Sequence, residues 1–380
     1  MLEGESKARG FGPFDGRIWL NCAHQGPLSH AAVAAAQQAI EQKANPHLIR
    51  DVDFVQVPNL LKASLARLIG GIPEDIIVGN SASYGLHVLR NGFSWRAGDE
   101  VLVVQGDFPA SIYPWLGLLD DQVRVRFLTP SGPSLTREEL SRQVTSSTRL
   151  LCVSWVNSFT GAVLDLRAVG QFCRQRNIIF VVNGSQGIGA LRLDVPHEPI
   201  DALVSCGNKW LCGPYGTGFC WLTRELRTEL KPAQRYWLPH LWGQNNLQDY
   251  AVNKELGTRA FDVFGTANFL NFLPWQASIE YLLSFGLTAI EAHNRSLVET
   301  LTRGVSKGKY LLLSPTDEAC RSAIVSMSHV DKRRNPEVHA ALGAAGIDIA
   351  LRNGDLRFSP HIYNSVDEVE RAVAVLNSLV

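Results

Sequence analysis

The sequence predicts an α/β protein with a large, mostly parallel sheet and a smaller α+β domain. Short apolar segments alternate with helical segments as far as residue 222, and this pattern changes after residue 223. Strands of a parallel sheet are buried on both faces, so they appear as short apolar runs rich in β-branched residues. The 380 residues, of which 46% are hydrophobic, are typical of a globular chain with about two or three structural units.

The elements of the large sheet follow from local composition. Helices are predicted over 30–45 and over 58–70, the second ending at Gly70-Gly71. Residues 76–79 (IIVG) then lead into a polar turn that opens another helix. Further strands are predicted at 101–104, 123–128, 149–154, 178–182, 202–205 and 217–222. Helices between them are predicted at 112–120, 137–144 and 166–176.

The C-terminal third has a different pattern. A region rich in Trp, Gln and Asn (236–250) predicts irregular structure, and one long helix is predicted over about 274–304 as a connection between two units. The tail predicts a small α+β domain, with strands at 310–314, 323–327 and 356–359 and helices at 335–345 and 366–379. We therefore predict a large domain over 20–260 and a small domain built from 1–19 plus 261–380.

Charge and cysteine content argue against several classes of protein. The 36 Lys+Arg balance 36 Asp+Glu, which gives no basic field for nucleic acid. No apolar run reaches the roughly 18 residues of a membrane span, so no membrane partner is expected. The N-terminus is charged and Gly-rich, unlike a signal peptide, so a cytoplasmic location is expected. The seven cysteines form no Cys-x-x-Cys pair and no zinc-like spacing with His, so no metal site is predicted.

Three polar loops follow predicted strands, at the edge where an open α/β sheet binds its ligand. They are GNSASYG after IIVG, NGSQGIG after IIFVV, and SCGNKWLCGPYGTG after ALVS. The third contains Lys209 among glycines and aromatic residues, where desolvation would favour the neutral amine that Schiff-base chemistry requires. The alternative is a solvated surface charge. The first loop offers backbone N–H groups to an anion, or is a simple helix cap.

The segments VVNGSQGIG and SCGNKWLCGPYGTGF together resemble the class V aminotransferase family. This family belongs to the cysteine-desulfurase-like superfamily of fold type I pyridoxal 5′-phosphate (PLP) enzymes. Its pattern of a strand ending in Asp, a Gln three residues on and a Ser/Cys-Gly-x-Lys block corresponds to Asn183, Gln186 and Lys209. Four further segments resemble the family in the same order, namely GDFPASIYPW (106–115), SWVNSFTGAVLDL (154–166), FDVFGTANFL (261–270) and LRFSPHIYNSVDEVERAV (356–373).

The resemblance implies the PLP-dependent transferase fold type I and an enzyme that acts on a small α-amino acid through an external aldimine. Lys209 would hold PLP and move the α-proton, Phe108 would stack on the ring, and Gln186 would bond the ring hydroxyl oxygen. The implied cofactor-binding residues are Ala82, Ser83, Phe108, Asn157, Asn183, Gln186, Asn208, Lys209 and Thr266. The implied substrate-binding residues are Arg357, which would pair with the carboxylate, Ala23 and His24. Because Thr266 would come from a neighbouring subunit, a homodimer is implied.

Two departures from the family pattern bear on the reaction. Asn183 stands where the family has an Asp that keeps the pyridine nitrogen protonated, and an amide cannot supply that charge. Cysteine desulfurases carry a nucleophilic Cys just before the carboxylate-binding Arg, whereas IDIALRNGDLRFSPHIY contains none. Asn183 puts demanding carbanion chemistry in question, whereas the missing cysteine favours a branch similar to isopenicillin-N epimerases or cysteine-conjugate lyases. Aminotransferase, C–S lyase and epimerase outcomes stay open. The alternatives are a cysteine desulfurase or selenocysteine lyase, and a non-catalytic PLP-fold binding protein.

Overall fold

The strands belong to three sheets. The computed structural model describes residues 10–241, 248, 250 and 252–379. In chain order its strands are β1 (Ile18–Trp19), β2 (Ile76–Gly79), β3 (Glu100–Val104), β4 (Arg124–Leu128), β5 (Thr148–Ser154), β6 (Ile179–Asn183), β7 (Ala202–Cys206), β8 (Gly218–Leu222), β9 (Tyr310–Leu312), β10 (Val325–His329), β11 (Ile347–Asp348), β12 (Ala350–Arg352) and β13 (Asp355–Phe358).

The helices alternate with the strands of the large sheet and then dominate the C-terminal third. In chain order they are α1 (His30–Ala44), α2 (Asp53–Ile69), α3 (Ala82–Gly92), α4 (Tyr113–Leu116), α5 (Arg137–Gln143), α6 (Leu166–Gln175), α7 (Arg224–Glu229), α8 (Trp237–Leu241), α9 (Phe269–Phe285), α10 (Leu287–Gly304), α11 (Asn335–Ala344) and α12 (Val366–Ser378). Within the described ranges, none of these helices has both the length and the apolar character needed to cross a membrane.

Seven strands form the large sheet, in the order β2-β8-β7-β6-β5-β3-β4. The strands β3 to β7 pair in parallel, and β8 runs antiparallel to both of its neighbours, β7 and β2. Successive side chains of a strand point to opposite faces, so Val101 and Val103 enter one apolar cluster while Leu102 and Val104 enter the other. The prediction of a mostly parallel sheet buried on both faces is confirmed.

A second, antiparallel sheet has the order β12-β13-β10-β9, and beside it β1 pairs in parallel with β11. A separate apolar core joins Ile18 and Leu20 of the N-terminal segment to side chains between Leu297 and Leu376. Strands β12 and β13 meet at Asn353-Gly354, whose φ angles of 51° and 81° suit the tight turn of a two-residue hairpin.

Several predicted elements differ from the observed ones. The single helix predicted over about 274–304 is wrong, because Gly286 adopts a φ of 81° and separates α9 from α10. Residues 112–120 contain only the short helix α4 and a following 3₁₀ turn. The region 236–250, predicted to be irregular, begins with α8, and most of its remainder lies outside the described residues. The short strands β1, β11 and β12 were not predicted.

Candidate active site

The carboxyl ends of the parallel strands surround a cavity of about 520 Å³. This volume lies within the range of about 300–1,000 Å³ that small-ligand pockets occupy. The three polar loops singled out in the sequence all reach the cavity, which is where an open α/β sheet is expected to bind a ligand. Of the predicted site residues, those that line it are His24, Ala82, Ser83, Phe108, Asn183, Gln186, Asn208 and Lys209.

Lys209 lies in the loop after β7, and its side chain projects over an aromatic ring. Its Nζ is 5.1 Å from the centroid of the Phe108 ring. The loop is tightly closed, because the N–H of Cys212 donates to the carbonyl of Lys209 at 2.9 Å. On the other side, Gly26 packs so closely that a Cβ there would collide with that same carbonyl. Among the described residues that line the cavity, Lys209 is the one lysine.

The first turn of α3 forms another wall of the cavity. Ser81 caps the helix, since its side chain accepts a hydrogen bond from the N–H of Tyr84 at 3.1 Å. Ala82 and Ser83 follow as the first residues of the helix and line the cavity. The cap therefore satisfies one N–H group while the remaining N–H groups of the first turn and the Ser83 hydroxyl are available to an anion.

Asn183 ends β6 and is almost fully buried, with 4% of its surface exposed. Its Oδ1 accepts from the N–H of Ser185 at 3.1 Å, which fixes the orientation of the amide. Its Nδ2 donates to Oγ of Ser111 at 3.0 Å, and that hydroxyl lies 3.3 Å from Oγ of Ser154. The residue therefore presents a neutral amide with one N–H left for a ligand.

Gln186 holds the N-terminal segment against the site. Its Nε2 donates to the carbonyl of Ala23 at 3.1 Å and to Oγ of Ser158 at 3.3 Å. Its Oε1 accepts from the indole N–H of Trp210 at 2.9 Å. Ala23 does not line the cavity and contributes through its backbone, whereas the next residue, His24, does line it.

Arg357 lies behind the lining residue Ser158, with 3% of its surface exposed. Its Nη1 donates to the carbonyl of Ser158 at 3.0 Å, whereas Nε and Nη2 have no partner in the part of the chain that the structure describes. Burial, followed by the positive charge of Arg352, lowers the pKa of Arg357 to about 10. A buried guanidinium with two unsatisfied donors has an uncompensated charge and unmet hydrogen bonds, which an anion would satisfy.

Two of the predicted cofactor-binding residues lie away from this cavity. Asn157 lines a neighbouring cavity of about 300 Å³, and its Oδ1 accepts from the N–H groups of Phe159 and Thr160 in a local turn. Thr266 is buried in the segment before α9, with 5% exposed, and does not line the cavity of its own chain.

Two further residues near the site were not singled out from the sequence. Asp107 follows β3, and its carboxylate accepts from the N–H groups of Phe108 at 2.6 Å and Ser154 at 2.8 Å, while burial raises its pKa. Arg352 donates from Nη2 to Nδ1 of His24 at 3.1 Å. Asp107 lies within the segment 106–115 that resembles the family, and Arg352 lies on the strand β12 of the C-terminal hairpin.

Behind the site, Cys22, Cys212 and His361 place their ligand atoms within 4.8 Å of one another. Nε2 of His361 lies 3.1 Å from the carbonyl of Trp210, so this nitrogen carries the proton. Nδ1 then accepts from Nδ2 of Asn294 at 3.3 Å. Both ring nitrogens are used within the protein, and burial lowers the pKa of His361 to about 3. The cluster packs as part of the protein core.

Comparison with known proteins agrees with the geometry. The profile of the aminotransferase class V family matches residues 42–371. The chain shares 28% identity over 386 residues with isopenicillin N epimerase from Streptomyces clavuligerus, covering 95% of this chain and 94% of that protein. It shares 25% identity over 378 residues with a probable cysteine desulfurase from Xylella fastidiosa (strain 9a5c), covering 91% and 86%.

Among solved structures, the chain resembles a C-DES variant with glycine covalently linked to its PLP cofactor. The two superpose with a TM-score of 0.88 at 20% sequence identity, over 97% of this chain and 98% of that chain. At this level of identity the likeness establishes the fold. The prediction of the PLP-dependent transferase fold type I is confirmed.

Proposed function

Because the chain belongs to the aminotransferase class V family, whose members are PLP-dependent enzymes, we propose that it acts on a small α-amino acid with PLP held by Lys209. The observation that carries this proposal is the position of Lys209 Nζ, 5.1 Å from the centroid of the Phe108 ring inside the cavity. An amine beside an aromatic platform suits a cofactor that has an aldehyde on a flat ring.

The residues present fit the cofactor. The first turn of α3, with Ala82 and Ser83, offers donors and a helix dipole to the phosphate, and Asn208 lies at the same cavity. Phe108 would lie against the ring, and the free N–H of Asn183 would face the ring nitrogen. When bound, PLP supplies an electron-withdrawing ring that makes the α-proton of an amino acid acidic.

Arg357 and Lys209 would then have different roles toward the amino acid. Arg357 would bind the α-carboxylate, because its unpartnered Nε and Nη2 can form two parallel hydrogen bonds to a planar anion. Lys209 would remove and return the proton at Cα, since it is the lining residue with a free amine. Gln186 donates to the Ser158 hydroxyl, and the Ser158 carbonyl accepts from Arg357, so Gln186 would hold the segment beside Arg357 in place.

His24 is a second titratable group that lines the cavity. The donor from Arg352 occupies Nδ1, so the proton of the neutral ring is on Nε2. Partial burial, followed by the charges of Arg352, Arg357 and Lys209, lowers the pKa of His24 and keeps the ring neutral. A neutral imidazole keeps its N–H proton, so His24 can donate a hydrogen bond to a group in the cavity but does not supply a proton to it.

The proposal is tested on the purified protein. We expect a cofactor absorbance that changes on addition of an amino acid, and product analysis then separates elimination, transamination and epimerisation. Lys209→Ala should abolish the cofactor adduct that borohydride fixes to the chain, which peptide mapping detects. An adduct at another lysine would refute the assignment of Lys209. A cofactor absorbance that no amino acid changes would instead indicate a non-catalytic PLP-fold binding protein.

A cysteine desulfurase is the second candidate, and one observation favours it. Cys206, at the end of β7, lines the cavity and is half-buried, whereas Cys320 lies outside it beside Asp317. If the chain transfers sulfur through a thiol, Cys206→Ser should abolish sulfide release from cysteine with dithiothreitol present. If Cys206 only supports the loop, the variant should keep amino-acid turnover within about threefold, a loss of less than ~1 kcal/mol.

We also propose a homodimer, in which Thr266 reaches the partner's cofactor phosphate, and a division into domains at residues 20 and 260. The separate core that joins Ile18 to side chains between Leu297 and Leu376 supports the small domain. Exposed aromatic side chains near the cavity, with Tyr215 79% and Phe264 50% exposed, support an interface between subunits. Sedimentation of the PLP-loaded protein as a monomer would count against the dimer.

The free state of all seven cysteines supports a cytoplasmic location.

A further inference from the structure

Four buried polar side chains form a row that connects Asn183 to a carboxyl group outside the cavity. Nδ2 of Asn183 donates to Oγ of Ser111 at 3.0 Å, and Oγ of Ser111 lies 3.3 Å from Oγ of Ser154. The row ends at Asp107, whose two oxygens accept the N–H groups of Ser154 at 2.8 Å and Phe108 at 2.6 Å. All four side chains belong to residues with at most 9% of their surface exposed. The amide that would face the cofactor ring is therefore linked to a buried acid.

The acid gives this row of hydrogen bonds a single direction. Burial raises the pKa of Asp107, and hydrogen bonds from the side chain of Ser154 and from two backbone N–H groups oppose that rise by favouring the ionised form. A carboxylate can only accept, so the hydroxyl of Ser154 donates to Asp107. Because a hydroxyl has one proton, the contact between the two serines then requires Ser111 to donate to Ser154. Ser111 is left as an acceptor for the N–H of Asn183.

The backbone fixes the same amide from its other end. The N–H of Ser185 donates to Oδ1 of Asn183 at 3.1 Å. If the amide turned over, Nδ2 would face the N–H of Ser185, and Oδ1 would face Ser111, whose proton is already donated to Ser154. Two donors would meet at one end and two acceptors at the other, in a buried place where unpaired polar groups are costly. The amide therefore keeps one orientation, in which its second N–H is left for a ligand.

We propose that Asp107 is a positioning residue, which acts through Ser154 and Ser111 to hold an N–H of Asn183 toward the cofactor ring, so that the ring nitrogen is bound without a proton. The inference rests on the proposed function, in which PLP occupies the cavity that Asn183 lines. An unprotonated pyridine nitrogen has a lone pair that accepts an N–H. A protonated one requires an acceptor, which the amide in this orientation does not offer. Asp107 thus influences the protonation of the ring without contacting it.

The first measurement follows the side-chain amide of Asn183 by NMR of the full chain labelled with nitrogen-15 asparagine, with and without PLP. The signals of this amide are assigned by their loss in Asn183→Asp. Ser154→Ala interrupts the row of side chains and leaves both backbone bonds to Asp107 in place. We expect the Nδ2 hydrogens of Asn183 to exchange with solvent roughly tenfold faster in this variant, the factor that the loss of about one hydrogen bond supplies.

Three further variants separate this role from a merely structural one. Ser154→Thr keeps the hydroxyl and should restore wild-type exchange. Asp107→Asn should resemble Ser154→Ala, because an amide both donates and accepts and no longer imposes one direction. The matched control is Ser205→Ala, which removes a buried hydroxyl of the neighbouring strand β7 that donates to the carbonyl of Cys206. The control should leave exchange at Asn183 unchanged. Equal acceleration in Ser205→Ala, or no acceleration in Ser154→Ala, would overturn the inference.

The second measurement observes the ring nitrogen directly. PLP labelled with nitrogen-15 in the ring is bound to the protein, and the chemical shift of that nitrogen distinguishes the protonated from the unprotonated ring. At neutral pH the wild-type protein should show the unprotonated form, and Asn183→Asp should show the protonated one. Ser154→Ala should move the shift toward the protonated value, since its amide turns over more easily. A protonated ring in the wild-type protein would overturn the inference.

The two measurements separate this inference from the proposed function. Exchange at Asn183 in the protein without PLP requires no cofactor. Faster exchange in Ser154→Ala, together with no PLP bound at Lys209, would refute the proposed function and support the positioning of the amide by Asp107. PLP bound at Lys209, together with an amide that does not respond to Ser154→Ala, would refute the inference alone.

Discussion

Replacement of Asn183 by Asp tests how the site controls the cofactor ring. The side chains have the same shape, and the carboxylate would keep the N–H of Ser185 as a donor at about the present 3.1 Å. The hydroxyl of Ser111, which now accepts from Nδ2, would turn to donate. The variant therefore changes the charge opposite the ring nitrogen while preserving the local packing.

The size of the effect follows from the type of hydrogen bond. An amide gives the ring nitrogen a neutral bond, whereas a carboxylate gives a protonated ring a charge-assisted bond that is stronger by about 1–2 kcal/mol. The difference grows as negative charge from Cα spreads into the ring, so we expect Asn183→Asp to accelerate exchange of the α-proton at least about tenfold, or ~1.4 kcal/mol. Without the cofactor, the same buried carboxylate should lower stability.

The assay is exchange of the α-proton with deuterium, followed by NMR on the PLP-loaded protein at saturating amino acid. The matched control is Asn157→Asp, which lies outside the cavity and whose Oδ1 accepts the N–H groups of Phe159 and Thr160 in either form. The control should leave exchange unchanged. If Asn183→Asp leaves exchange unchanged or slows it, the site is tuned to an unprotonated ring and the reasoning from charge is refuted.

Two further predictions concern stability. Lys62 Nζ lies 2.8 Å from Oδ2 of Asp262 with both side chains 5% exposed, so Lys62→Ala should cost about 3–5 kcal/mol of unfolding free energy in urea. The exposed pair of Arg67 and Glu280 is the control, and Arg67→Ala should cost less than about 1 kcal/mol. Because the pKa of His361 is lowered from its ordinary 6.5 to about 3, the unfolded chain takes up a proton below pH 6.5 that the native chain refuses. Stability should therefore fall with decreasing pH across this window, by up to about 1.4 kcal/mol per pH unit from this group. His361→Asn should make the slope shallower, and an unchanged slope would show that other groups dominate.

The sequence predicted the elements of the large sheet well because buried strands appear in the sequence as short runs of apolar residues. Strands such as β3 and β7 are apolar on both faces, so the run of residues is enough to find them. The short strands β1, β11 and β12 give no such signal, since two or three residues are too few to show a periodic pattern of apolar residues. The break at Gly286 was missed because an isolated glycine also occurs inside helices.

The site was predictable where it depends on strand ends and much less where it depends on distant contacts. Lys209 follows the buried strand β7, Asn183 is the last residue of β6, and both lie at the predicted edge of the sheet. Arg352 and Ser158 take part through contacts with residues far away in the chain, such as the bond of Arg357 to the Ser158 carbonyl. Such pairings depend on how the two sheets lie relative to each other. The local sequence pattern gives no information about that arrangement.

The segment around residues 20–26 joins these distant parts into one site. The N–H of Cys22 donates to the carbonyl of Ser359, two residues from Arg357, and the N–H of Gly26 donates to the carbonyl of Asn208, next to Lys209. Gln186 holds the carbonyl of Ala23 between these two contacts. The segment therefore fixes the separation between the cation that would bind the carboxylate and the amine that would hold the cofactor. Because His24 projects from this same segment toward Arg352, a change in its backbone would displace His24 together with the contacts to Ser359 and Asn208.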